Sequence, residues 1–254
     1  MKALVDADSL LYKVGFALED KVIWNEMEVI AGLEEEMDID YFTNIEQCYR
    51  TFDQFVDNIL FATDCDDALL VFSGKGNFRL DLPTDYKTNR KDARKPLGYS
   101  ELREYAEGKY ETRTPIGMEA DDFVVYLKTT YPEDYILCAI DKDVLYQTVG
   151  VHYNYGRDEE VYVDEWAATK FAYVQTLTGD TSDGYKGCKG IGAVKAEKIL
   201  ADCDTEYDLW RAVVEAYESK GQTEEEALWT MRLANMKQFN GTEVVLWEPP
   251  TESA

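Results

Sequence analysis

Three short apolar runs, each ending on a small or acidic residue, constrain this chain more than any other feature. They are "KALVD" (2–6), "ALLVFS" (68–73) and "DYILCAID" (134–141). A strand with one wet face alternates polar and apolar residues, whereas a continuous apolar run belongs to a strand covered on both faces. Helical candidates lie between the runs at Asp8–Leu18, Tyr41–Thr63 and Glu119–Tyr131. This alternation predicts an α/β fold with a mostly parallel central sheet flanked by helices. Sites in such sheets form beyond the carboxyl ends of the strands, so acids that end strands have a common place to meet.

The remaining chain is less regular. "VHYNY" (151–155) reads as a further strand and holds the single histidine, His152, which suits packing or surface and leaves little room for histidine-dependent catalysis. Residues 74–113 show no confident strand and are rich in Lys, Arg, Gly and Pro; they read as a long excursion with a helix near "GYSELREYAE". From Val163 the pattern is helical, broken by a glycine-rich stretch, and "NGTEVVLW" (240–247) reads as a final strand. The expected organisation is an α/β core over 1–178, including the excursion at about 81–112, with 179–254 packed against it as one unit. No apolar run approaches the ~18 residues of a membrane span. The start "MKALVDADSL" has no secretory apolar region. Five scattered cysteines without a CxxC pair point to a reducing compartment, hence the cytoplasm, and away from disulfides and zinc.

The formal charge of −25 argues against nucleic acid only if charge is evenly spread. It is not. Residues 19–40 hold nine acids and one lysine, and read as a solvated insert, whereas "YKTNRKDARK" (86–95) carries five basic residues and one acid. A phosphate backbone can meet the second stretch without touching the first.

Carboxylates recur at the predicted strand-to-helix junctions: Asp6; Glu119, Asp121 and Asp122 in "GMEADDF"; Asp141 and Asp143 in "AIDKDV"; Asp180 and Asp183 in "GDTSDG". Any one group has an ordinary explanation, since acids cap helices and complement their dipoles. If "GMEADDF" opens a helix, Glu119 and Asp122 share a face and Asp121 points elsewhere. Eight uncompensated acids at one end of a sheet would repel one another, and divalent cations resolve that. An all-oxygen set suits Mg²⁺ or Mn²⁺. Two such ions would activate water and stabilise the leaving oxygen in phosphodiester hydrolysis.

"LVDAD", "YKTNRK", "GMEADD", "AIDKD" and "TGDTSDGYKGCKGIG" occur in the order and approximate spacing of the flap endonuclease/5′-nuclease superfamily, and the chain most resembles its compact phage 5′→3′ exonucleases. "MRLANMKQFNGTEVVLW" is also similar to that phage group, and the resemblance spans roughly residues 2–247. It implies that the eight acids are the carboxylates of a two-metal site. It implies that Lys87 and Arg90, at the base of a helical arch, contact the scissile phosphate, and that Tyr86 stacks on the terminal base. Lys91, Arg94 and Lys95 fall in the same basic run, and Arg79 in "NFRLD" is a further phosphate contact. The glycine stretch resembles a helix–hairpin/turn–helix element that grips duplex DNA, through Gly190 and Gly192 with Lys195 and Lys198, and implies K⁺ on the carbonyls of the 187–192 turn. One departure stands out: Ser73 or Gly74 falls where the family commonly has an acid, and Asp8, two residues after Asp6, is the nearby carboxylate that could supply it.

The resulting expectation is a structure-specific 5′→3′ exonuclease and flap endonuclease of DNA replication or processing. Its partners would be DNA with 5′ ends or flaps and RNA–DNA hybrids, with no membrane, and it would act as a monomer. Two alternatives stand beside it: a non-catalytic structure-specific DNA-binding protein, and a single-strand ribonuclease on a related fold.

Overall fold

Residues Ala3, Leu4 and Val5 are fully buried although they alternate across the first strand, because helices cover both faces of the sheet. The computed structural model describes residues 1–32, 37–90 and 93–252. From the start the chain runs β1 (Lys2–Asp6), α1 (Asp8–Ala17), β2 (Glu19–Ile23), α2 (Glu26–Ile30), β3 (Ile39–Thr43), α3 (Ile45–Thr63) and β4 (Ala68–Val71). Two 3-10 turns, Phe78–Asp81 and Thr88–Arg90, lead to α4 (Tyr99–Lys109), β5 (Glu111–Arg113), α5 (Ala120–Thr130), β6 (Tyr135–Ala139), α6 (Lys142–Leu145), β7 (Gly150–Asn154) and β8 (Glu159–Val163). Then come α7 (Glu165–Thr178), β9 (Gly179–Asp180), β10 (Tyr185–Lys186), α8 (Ala193–Ile199), α9 (Glu206–Glu218) and α10 (Glu224–Ala234).

The main sheet has the order β5-β4-β1-β6-β7-β8, parallel throughout except for β8, which returns antiparallel to β7. One face packs Ala3, Val5 and Leu70 against α1, α3 and α4. The other packs Leu4, Leu69, Val71 and Leu137 against α5 and α6. Because β1, β4 and β6 are parallel neighbours, their carboxyl ends open on one edge. His152 is fully buried in β7, as packing predicts, and burial lowers its pKa to about 4.

A separate apolar cluster joins α7 to α8, α9 and α10 around Leu177, Leu209, Val213 and Met231. Helices α9 and α10 each begin at a capping box, Thr205 with Asp208 and Thr223 with Glu226. No helix among the described residues is long and apolar enough to cross a membrane.

Three expectations need correction. The long helix starts at Ile45, not Tyr41, because Ile39–Thr43 pairs with β2 and the Asn44 side chain then caps α3 through the Gln47 amide. The acidic stretch from 19 is a hairpin and not merely a solvated insert; residues 33–36 of it lie outside the described residues. Residues 240–247 form no strand, only an isolated bridge between Phe239 and Val244.

Candidate active site

The sheet edge at the ends of β1 and β6 opens into a cleft of about 540 Å³, and Asp6, Asp8, Glu119, Asp121, Asp141 and Asp183 all line it. Lys87, Lys95 and Arg103 line it too. Five of the eight expected acids therefore meet. Asp6 arrives on β1, Asp141 just after β6, and Glu119 and Asp121 at the start of α5. Asp183 comes from the β9–β10 turn, where Asp180 Oδ1 accepts the amides of Ser182 and Asp183 at 2.7 and 3.2 Å. That turn needs Gly187: a Cβ there would stand 2.4 Å from the Gly179 nitrogen and 2.5 Å from the Leu177 oxygen.

Asp6 is only 2% exposed, and its Oδ1 finds no hydrogen-bond partner among the described residues; the same holds for Oδ1 of the half-buried Asp8. Burial, reinforced by the charges of Asp8 and Asp141, pushes the Asp6 carboxyl up to about 8. Asp121 is also raised, by burial first and then by Asp6 and Glu119. Glu119 goes the other way: burial opposes its charge, but Lys87 and Arg79 outweigh burial and hold it below the usual range.

Asp143 and Asp180 stand beside the cleft rather than in its lining, bridged by Lys142 Nζ at 3.1 and 3.3 Å. Burial and Asp141 raise Asp143 to about 6, whereas the Asp183 and Ser182 amides and Lys142 overcome burial to lower Asp180. Among the described residues no three His, Cys, Asp or Glu side chains stand close enough together to share one ion. Two ammonium groups lie between the acids instead. Lys142 separates one pair, and Lys87 donates to Glu119 and sits 3.7 Å from Asp183.

Lys87 is held with unusual backbone geometry. Its φ of 51° lies in the left-handed region, which costs a non-glycine residue roughly 1 kcal/mol, and its amide donates to the Asp183 carbonyl at 2.7 Å. Strain of this kind persists where surrounding contacts over-determine it.

Three expected roles are corrected by burial. Arg79 is fully buried, with both terminal nitrogens on Asp122 at 2.7 Å and further bonds to the Leu233 and Asn235 carbonyls, so it is not placed to meet a phosphate. Asp122 is accordingly not a cleft acid: it pairs with Arg79 and accepts the Glu119 amide in the capping box of α5. Tyr86 is 3% exposed and its hydroxyl donates to Glu119 at 2.6 Å and Asp183 at 3.2 Å. It orients carboxylates and has no open face for a base.

In the basic run, Lys95 reaches the cleft while Arg94 is committed to Glu19 of β2 and lies over the Tyr41 ring at 4.0 Å. Lys91 and the Arg90 side chain lie outside the described residues. Gly190, Gly192, Lys195 and Lys198 are exposed around α8, and Lys195 Nζ donates to the Gly190 carbonyl at 2.8 Å. Arg103 was not anticipated in the cleft; it donates to the Ser73 carbonyl at 3.0 Å. Its signal was the i, i+4 spacing from Tyr99, which also lines the cleft.

No protein-family model matches the chain. The exonuclease of Escherichia phage T7 is 26% identical over 230 residues, covering 71% of this chain and 73% of the phage protein. The phage T5 5′-exonuclease with bound divalent metal ions (zinc) has a TM-score of 0.65 at 17% identity, covering 93% of this chain and 89% of that one. The catalytic core of Rad2 in complex with DNA substrate has a TM-score of 0.54 at 16% identity, covering 93% and 73%.

Proposed function

We infer that this chain, which has the fold and the ordered motifs of the flap endonuclease/5′-nuclease superfamily, is a divalent-metal-dependent 5′→3′ exonuclease and flap endonuclease acting on DNA. The observation that carries this reading is the convergence of Asp6, Glu119, Asp121, Asp141 and Asp183 on one cleft that Lys87 also lines. The likeness to nucleases solved with metal ions and with DNA supports it.

The donor set fits hard cations. Every cleft acid offers oxygen only, and the buried Asp6 Oδ1 is an unpaired acceptor of the kind a cation satisfies. Asp6, Glu119, Asp121, Asp141 and Asp183 would hold Mg²⁺ or Mn²⁺, some directly and some through water, with Asp143 and Asp180 at the flank. Such ions supply an activated water and stabilise the departing 3′-oxygen. Tyr86 fixes the orientation of Glu119 and Asp183. Lys87, Lys95 and Arg103 offer positive charge to a phosphate in the cleft, and Lys87, already inserted among the acids, is placed to offset charge that develops there. Arg90 joins Lys87 on its motif position alone.

Lys195 and Lys198 on α8 grip the duplex backbone without reading sequence, which suits an enzyme selecting structure. K⁺ at the 187–192 turn would compete with the Lys195 ammonium for the Gly190 carbonyl. RNA–DNA hybrid is a second substrate on the same backbone logic. Five free thiols suit a reducing cytoplasm, and the chain acts as a monomer.

The test compares a 5′-labelled flap duplex, a nicked RNA–DNA hybrid and free single-stranded RNA in Mg²⁺. Short labelled products from the flap near the junction are expected. Faster cutting of free RNA than of the flap would transfer the assignment to a single-strand ribonuclease.

A further inference from the structure

We propose that Asp8 is a further carboxylate ligand for a divalent cation in the cleft, supplied by the first turn of α1 in place of an acid at the exit of β4. The proposal rests on the metal-dependent reading above.

The exit of β4 has no means of offering an acid itself. A Cβ on Gly74 would lie 2.0 Å from the Pro115 carbonyl oxygen, so backbone fills the space a side chain needs. The neighbouring Ser73 hydroxyl accepts the Ala120 amide at 2.9 Å and thereby caps the start of α5. Both positions are committed to the path of the chain.

Asp8 is tied to the same place from the other side. The Ala7 amide donates to the Val71 carbonyl at 2.9 Å, which carries the β1–β4 pairing one residue past the strands. Asp8 Oδ2 then accepts the Ser73 amide at 2.9 Å. An acid serving only the dipole of its own helix has no need of a bond to a residue 65 positions away. This bond fixes the carboxylate and leaves Oδ1 buried without a partner among the described residues.

The second observation is Asp6. It is 2% exposed, it lines the same cleft, and its Oδ1 is also unpaired. Burying a carboxylate oxygen without a partner is unfavourable by more than a kilocalorie-scale hydrogen bond returns. Two such oxygens, from side chains two residues apart, are most simply satisfied by one hard cation with oxygen preference.

The experiment measures Mn²⁺ binding to the full chain by calorimetry without nucleic acid, for the unmodified protein, Asp8→Asn and the exposed control Asp66→Asn. The amide carbonyl of Asp8→Asn still accepts the Ser73 N–H, so its melting temperature in EDTA should not fall. The proposal expects at least an about tenfold loss of Mn²⁺ affinity, or loss of one ion, in Asp8→Asn alone. Unchanged binding in Asp8→Asn overturns the Asp8 assignment and leaves the metal reading standing. No binding by the unmodified chain overturns both. Should Asp8→Asn fail to fold, ¹³C-carboxyl NMR of the unmodified chain decides with diamagnetic Mg²⁺: saturation must shift the Asp8 carboxyl signal as strongly as that of Asp6, and an Asp8 signal that stays in place while Asp6 shifts overturns the proposal.

Discussion

Tyr86 turns its hydroxyl to Glu119 and Asp183 and buries its ring, so its contribution is read through the oxygen. Tyr86→Phe should therefore lower the single-turnover rate by about ten- to a hundredfold with the fold intact. A stacking role would leave this variant near the unmodified rate, since the ring survives. Lys87→Ala should lower the chemical rate by roughly a hundredfold or more with little change in duplex affinity. Lys195→Ala should do the reverse, and equal losses of both quantities in both variants would contradict the division. Arg79→Ala leaves the Asp122 carboxylate buried and unpaired, and denaturant titration should show a loss of about 3–5 kcal/mol. None of this pairing was legible in the sequence. Arg79 and Asp122 lie 43 residues apart, and the carbonyls that complete the arginine's shell belong to α10 and the residue after it. A basic residue beside a basic run looks like a phosphate contact until tertiary packing removes it from solvent.

The elements that position the site were the readable ones. β1, β4 and β6 are covered on both faces, so their apolar runs are continuous, and the acids that end the β1 and β6 runs, Asp6 and Asp141, are visible. β5 and β8 were not. β5 has three residues, two of them charged and exposed, and β8 alternates glutamate and tyrosine against valine on a single edge. The β2–β3 hairpin hides for a similar reason: charged residues dominate β2, and it is tied to the rest of the chain through Glu19, which pairs with Arg94 and accepts the Leu97 amide, and through Tyr41, whose ring lies under Arg94. The glycine stretch was legible as backbone geometry, though Gly187 proves to matter for packing of the β9–β10 ribbon. Gly187→Ala meets main-chain atoms that have no side-chain freedom, and should cost about 1–3 kcal/mol. Because that ribbon sets Asp183, the cleavage rate should fall even at temperatures where the variant remains folded. Full activity in a folded Gly187→Ala protein would separate the ribbon from the site.

At the scale of the whole molecule, a chain of charge −25 gathers six carboxylates around one cleft, so their mutual repulsion is concentrated there. The folded Asp6 carboxyl titrates near 8, above its ordinary value of 3.8. The folded state thus holds this proton more tightly than the unfolded chain does. The stability it confers is complete below about pH 4 and is lost as pH rises towards 8. In EDTA, Asp6→Asn should consequently be more stable than the unmodified protein at pH 8, on the order of 1–3 kcal/mol, with the difference shrinking towards pH 4. Thermal melts across that range check it. The central claim, that this acidic edge cuts phosphodiester bonds with divalent cations, is tested most directly by one cleavage assay. A 5′-labelled flap duplex is incubated with Mg²⁺, Mn²⁺ or EDTA, for the unmodified chain and for Asp141→Asn. Cleavage near the junction that requires metal and disappears in the variant is the predicted result; tight flap binding with no cleavage under either metal would contradict it.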